Sequence, residues 1–253
     1  MTALRLRLRC LVTALTVVAC VQVHPGALAD DLDDQEVAER LADFLRSART
    51  VVSGYQDVIN APAAGDKGLT GDRILAEATA LYIERTGEDP LSTDPESREG
   101  RLLRAQMEAL EAVVAENQNT INAPDIGFKG FIPAVFARLV NEKFEETVGT
   151  EARVKVTAPE DLVRNRTARP DEWERAILAE KFADPAWPEE QSFSEVVPVE
   201  GRPAFRLIVP EYYRASCLSC HGGPKGEVDI TGYPKEGGEE GDLAAAISVT
   251  LFQ

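Results

Sequence analysis

Glu195-Val-Val-Pro-Val-Glu-Gly-Arg-Pro-Ala-Phe-Arg-Leu-Ile-Val-Pro210 is the stretch on which the fold turns. Val196–Val199 and Ala204–Val209 are β-branched and apolar runs, and Glu200-Gly201 between them is a two-residue turn, so the segment reads as a β-hairpin. Working outward, Ala152–Ala158 alternates through Val154 and Val156. Ala244–Phe252 places Ile247, Val249 and Leu251 on one face. Both read as strands. Pro170-Asp171-Glu172 opens a short helix to about Phe182, with proline at the first position and acids at the positive end of the dipole. Trp173 reads as core. Upstream of residue 150 the apolar spacing changes to a helical one. Val37, Leu41, Phe44, Leu45, Val52, Tyr55 and Ile59 predict a helix over 34–60, ended by Asn60-Ala61-Pro62. Further helices are expected over 71–86, 98–121 and 132–147. The chain is therefore α+β, with a helical region over 30–150 and a small antiparallel sheet over 151–253.

The helical region contains a repeat. Val51–Gly68 matches Val113–Gly130 at an offset of 62, with ten of eighteen positions identical. Each unit is a helix ended by Asn-Ala-Pro, then a glycine-rich turn with Lys67 or Lys129. The plain reading is a pair of similar packing units. The functional one is that the two turns flank a shared ligand.

The net charge is −16 over 253 residues. Residues 1–29 read as an export leader: Arg5, Arg7 and Arg9, an apolar run from Leu11 to Val23, and Ala27-Leu28-Ala29 as a cleavage site. A periplasmic or otherwise exported location follows, with a lipid anchor at Cys20 as the lesser alternative. No later segment is apolar for long enough to span a membrane. Removal of the leader leaves a charge of −19. Such a charge argues against nucleic acid as a partner and is compatible with docking to a basic protein.

After residue 29 the only cysteines are Cys217 and Cys220, and the only histidine is His221. Cys217-Leu218-Ser219-Cys220-His221 is the Cys-x-x-Cys-His pattern of covalent haem c attachment. Two thiols at this spacing reach the two vinyl groups, and the next residue offers its imidazole to the iron. The expectation is one covalent haem, with His221 as its proximal ligand. A redox dithiol normally opens a helix in an alternating α/β chain, which this is not. For the sixth position Met107 is a candidate, although Leu103, Leu110 and Val114 on the same face make it a core residue too. Tyr55, Tyr212 and Tyr213 are further candidates. Arg164, Arg166 and Arg169 cluster in one loop and could meet the haem propionates or be solvated. The acidic run Glu236–Asp242 reads as a solvated loop.

From about Val154 to the end the chain resembles a family of exported single-haem proteins with a PAS-like domain, long catalogued only as a domain of unknown function. The shared elements are Arg164-Asn165, Ala168-Arg169-Pro170-Asp171-x-Trp173-Glu174, the strand pair before Cys217-x-x-Cys220-His221-Gly222, Gly232-Tyr233, Gly241-Asp242 and Ala246-Ile247-Ser248-Val249. The resemblance implies a PAS-like sheet with the haem beside it, and redox or ligand sensing. One family arrangement uses a cysteine thiolate from an N-terminal helix as second axial ligand; here no cysteine follows residue 29 except the attachment pair. The leading expectation is electron transfer or redox reporting to a separate protein partner. The alternative is a haem-based sensor of a small gas or oxidant with an open distal site. An enzyme such as a peroxidase would need a distal acid–base group, and is not the favoured reading.

Overall fold

The computed structural model describes residues 25–62 and 65–253, with side chains from Asp33 onward. The expected leader, and Cys20 with it, lies almost wholly outside the described residues. Helix α1 runs Pro25–Gly54 and α2 Gln56–Asn60; α3 spans Gly71–Thr86, α4 Arg98–Glu116, α5 Gln118–Ile121 and α6 Pro133–Val148. The helices expected over 34–60 and 98–121 are each split near their C-termini. At Tyr55 the backbone N–H bonds back only three residues, to Val52 O, at 3.3 Å. At Asn117 the side-chain amide itself donates to Val113 O at 2.8 Å, competing with the helical ladder. The breaks fall at equivalent positions of the two repeats.

The repeat closes on itself. Asn60 Oδ1 accepts the Lys129 backbone N–H at 2.9 Å, and Asn122 Oδ1 accepts that of Lys67 at 3.1 Å. Lys67 Nζ donates to the carbonyls of Ile59, Ala61 and Ile121, which are orphan acceptors at two helix C-termini. Lys129 Nζ donates to Ala61 O and Ile126 O. Desolvation, with Lys129 as neighbour, pushes the Lys67 ammonium down to about 8.

The second half forms one antiparallel sheet, order β1-β4-β3-β2, from β1 Ala152–Thr157, β2 Phe193–Val199, β3 Arg202–Tyr212 and β4 Leu243–Phe252. The β2–β3 turn places Glu200 at φ 53 and Gly201 at φ 80, the pair of positive angles that a two-residue hairpin needs. One face of the sheet (Val154, Phe205, Leu207, Val209, Ile247, Val249 and Leu251) shares a single buried core with α1, α3, α4 and α6. The other face carries Ile208 and Ala246 under a smaller cluster with Ile177, Leu178 and Phe182. These three belong to α7, Glu172–Ile177, and the π-helical turn Leu178–Phe182 that follows it. An Asp171/Glu174 capping box starts α7.

That second face is also polar. Arg206, buried on β3, pairs with Asp171 at 2.8 Å and Glu174 at 3.3 Å. Its guanidinium lies 4.3 Å from the centre of the half-buried Trp173 ring. Lys155 on β1 bonds the other oxygen of Glu174 at 2.7 Å. These contacts pin α7 and the loop before it, residues 158–171, across the sheet. Among the described residues no helix is long and apolar enough to cross a membrane.

Candidate functional site

Residues 213–242 form a single excursion between β3 and β4. Its neck is closed by backbone bonds from Tyr213 N to Asp242 O and from Gly241 N to Tyr213 O, both 2.9 Å. A bulge at Glu211/Tyr212 turns the chain out of the sheet. Glu211, just inside the neck, is held by Arg46 and Arg49 of α1, the latter at 2.7 Å. The helical layer is thereby tied to the base of the loop. Burial opposes the Glu211 charge, yet the two guanidinium groups hold its carboxyl below the usual range.

Within the loop Cys217 ends a tight turn and the short helix α8, Leu218–His221, follows. Cys217 and Cys220, three apart on helical backbone, come to one side. Both thiols are free and half-buried. His221 stacks on Tyr213, with ring centroids 5.2 Å apart and 28° between planes. Its Nδ1 lies 2.9 Å from Glu236 Oε2 and 3.4 Å from the Tyr213 hydroxyl. An anionic acceptor at this position favours the proton on Nδ1, so that in the neutral ring the lone pair lies on Nε2. Gly238 donates its N–H to His221 O at 2.8 Å. A Cβ at Gly238 would come within 2.5 Å of the Tyr213 ring, so only glycine lets the loop return over the histidine.

Arg164 organises the loop from outside it. Its guanidinium donates to both oxygens of Glu236 at 2.7 and 2.9 Å, to Asp229 Oδ2 at 2.6 Å and to the carbonyl of Cys220 at 2.9 Å. The Asp229 side chain is fully buried, and its other oxygen accepts from Thr231 and from the Tyr233 N–H. Burial opposes the charge on both acids. Thr231 and Arg164 nevertheless hold Asp229 well below the ordinary carboxylate value, and Arg164 lowers Glu236. Burial pushes the Tyr213 phenol up to about 12, with Glu236 adding to the effect.

Of the residues singled out from sequence, the fold brings Cys217, Cys220, His221 and Arg164 together. Arg166 and Arg169 sit on the same loop as Arg164 but are exposed, without side-chain partners among the described residues. Met107 lies in the helical core, 5% exposed, with Leu103, Leu110 and Val114. The Tyr55 hydroxyl is engaged by Glu77 and Arg73 in the helical half. Glu236 corrects the reading of the acidic run as solvated loop: it is half-buried and bridges His221 to Arg164. Asp229 was not legible at all. Neither carries a periodic or spacing signal, because their partners are remote in sequence.

The donor set fits a covalently attached haem. Two thiols, unpaired with each other, stand on one side of a helical turn. The adjacent imidazole has its outer nitrogen oriented by a carboxylate, and its Nε2 has no hydrogen-bond partner among the described residues.

Comparison with curated proteins gives no match, and neither does comparison with solved structures. The Tll0287-like family, by contrast, matches residues 92–251, from the turn before α4 through the whole sheet and the Cys217–His221 loop. Since that span covers well over half of the chain, the protein belongs to the Tll0287-like family.

Proposed function

We propose that the protein is an exported, single-haem c-type protein that carries electrons, or reports redox state, to a separate protein partner. The observation that carries this reading is the Cys217/Cys220/His221 turn with Nδ1 already engaged by Glu236. Cys217 and Cys220 would be the thioether anchors and His221 Nε2 the axial donor. Haem would supply a one-electron couple between ferric and ferrous iron. The chain's own part is to position and tune. Glu236 keeps the imidazole in one tautomer and makes it a more basic donor, which favours the ferric state. Arg164 holds Glu236 in place and cross-links the loop through Cys220 O and Asp229. The four-stranded antiparallel sheet, with the helical layer on one face, α7 on the other and the loop emerging from one end, supports a PAS-like description of residues 151–253.

The burial of Met107 in the helical core favours the second reading, a sensor of a small gas or oxidant. With Met107 held there and the Tyr55 hydroxyl engaged by Glu77 and Arg73, two of the sequence candidates for the sixth position are occupied in the helical half. The optical spectrum of the purified mature protein separates the two. Covalent haem that stays with the chain on acid extraction is required by both, and its absence would sink both. A low-spin ferrous spectrum indifferent to carbon monoxide supports electron transfer. Carbon monoxide binding supports sensing.

A further inference from the structure

Beyond residue 29 the chain has 24 lysines and arginines. Twenty of these are engaged by a carboxylate, a carbonyl, a hydroxyl or an aromatic ring. Even the most exposed helical cations have partners, such as Arg101 with Glu151 and Arg175 with Glu160. The exceptions among the described residues are Arg166, Arg169, Arg214 and Lys225, and all four are exposed. They are not scattered. Arg214 precedes Cys217 in the same turn, Lys225 follows His221, and Arg166 and Arg169 belong to the loop that Arg164 ties to Cys220 O. In a protein of charge −16, unpaired cations are the rarer kind of charge, and here they are confined to the surroundings of one short motif.

The same region carries the two most exposed large apolar side chains of the described surface, with an exposed tyrosine on the same hairpin. Val228 and Ile230 are each 65% exposed and Tyr233 is 46% exposed. They stand on a small hairpin closed by Asp229 N to Tyr233 O and by Lys235 N to Glu227 O. The hairpin is not loose: Asp229, between the two exposed side chains, is anchored by Arg164 and Thr231. Two apolar side chains are thus held outward by a buried ionic anchor, which costs solvation with no return inside the monomer. An apolar centre beside unpaired cations is the anatomy of a docking surface, the centre giving affinity and the charges giving orientation and encounter rate.

We infer that the face bearing Val228, Ile230 and Tyr233, flanked by Arg166, Arg169, Arg214 and Lys225, docks a protein partner through an acidic surface with an apolar middle. This reverses what net charge alone implies, namely a basic partner. The inference rests on the haem reading for its purpose, since the face adjoins the attachment motif, but not for its existence. Glu239 and Glu240, the exposed acids at the loop neck, are not within ion-pair distance of any of the four cations. A haem brings two propionates, whose two negative charges balance at most two of the four cations and leave a cationic surplus.

The first test reads the sign of the local field. The ferrous haem-loaded protein is oxidised, one electron per molecule, by anionic hexacyanoferrate(III) or by cationic tris(phenanthroline)cobalt(III), at salt from about 10 mM to about 200 mM. The anionic reagent is expected to slow about tenfold across that range while the cationic one does not. The opposite ordering, as the overall −16 would dictate, overturns the inference. The wild-type protein suffices for this comparison. The second test does not need the haem: binding of a fluorescent polyglutamate peptide to the full chain by anisotropy. Binding is expected to weaken about tenfold in R166Q/R169Q/R214Q/K225Q. Undiminished binding in that variant overturns the assignment of the face. In V228S/I230S an unchanged haem spectrum is expected, whereas a changed one gives those side chains to the haem pocket and removes the apolar centre. A dimer in sedimentation at low salt that the quadruple variant abolishes would make the occupant a second copy of the chain, and also overturns the inference. A chain lacking covalent haem that still binds polyglutamate through these residues would sink the redox reading and leave the docking face standing.

Discussion

Two parts of this molecule gather cationic side chains at glycine-rich turns, and they treat them in opposite ways. In the helical repeat, Lys67 and Lys129 turn inward and spend their donors on helix-terminal carbonyls, while Asn60 and Asn122 exchange backbone bonds across the pseudo-symmetric pair. In the Cys217–His221 loop, one arginine is consumed in the same structural manner. Arg166, Arg169, Arg214 and Lys225 are left without side-chain partners among the described residues. The repeat is therefore closed, a clasp that joins four helices. The loop is held just as firmly by Arg164, but it holds chemistry outward: two thiols, an imidazole nitrogen and a cationic, apolar rim. A cluster that satisfies itself argues for packing, and a rigid cluster that leaves groups unsatisfied argues for a partner.

The contrast can be broken most severely at Arg164. Arg164→Ala strands the buried Asp229 carboxylate and frees Glu236, so the loop should lose about 3 to 5 kcal/mol of local stability. Limited proteolysis should then cut within residues 222–242 while the helical half survives. Simultaneous melting of the helices would show that the two regions are not separable. Glu211→Gln attacks the tie between them by weakening its pairing with Arg46 and Arg49. A loss of about 2 to 3 kcal/mol in denaturant unfolding is expected. Its wild-type contribution has a definite pH window. The carboxyl is lowered from 4.5 in the folded state, so the stabilisation is complete above that value and drains as pH falls below it. The variant should show a shallower acid limb.

Lys67→Met sharpens the comparison from the other side. Because the Lys67 ammonium is pushed from 10.5 down to about 8 in the fold, the unfolded chain holds the extra proton between those values. Stability should therefore rise with pH across that window, by about 1 kcal/mol once partial solvent exposure is allowed for. The slope should vanish in the variant. Glu236→Gln should have the smallest effect on the fold, under about 1 kcal/mol, since Arg164 keeps Asp229 and Cys220 O. In the haem-loaded protein it should nevertheless raise the reduction potential, because a less basic imidazole favours the ferric state less. An unchanged potential would reduce Glu236 to a structural role.

Much of the architecture was legible from local pattern. Val37 to Ile59, residues 71–86, and the alternation at Ile247, Val249 and Leu251 record which side of each element is buried, and burial is what the structure obeys. Glu200-Gly201 was readable for the same reason, since a two-residue turn constrains its own backbone. The helix breaks at Tyr55 and Asn117 were missed because apolar periodicity continues through them. Met107 carried two readings that local sequence could not separate, and its place among Leu103, Leu110 and Val114 puts it in the helical core.

The site divides along the same line. Cys217, Cys220 and His221 were legible because the Cys-x-x-Cys-His pattern is written within five consecutive residues. Their supports were not, because hydrogen bonds and ion pairs impose no spacing along the chain. Glu236 reaches His221 across 15 residues and Arg164 across 72, while Asn60 meets Lys129 across 69. The sequence by itself determined the order of helices and strands, the repeat and the attachment motif, since each is written in neighbouring residues. Tertiary structure alone decided which acid orients the histidine, which arginine is structural and which cations face outward. Those outcomes depend on where the sheet and loop bring distant charges together, and on the cost of leaving a buried one unpaired.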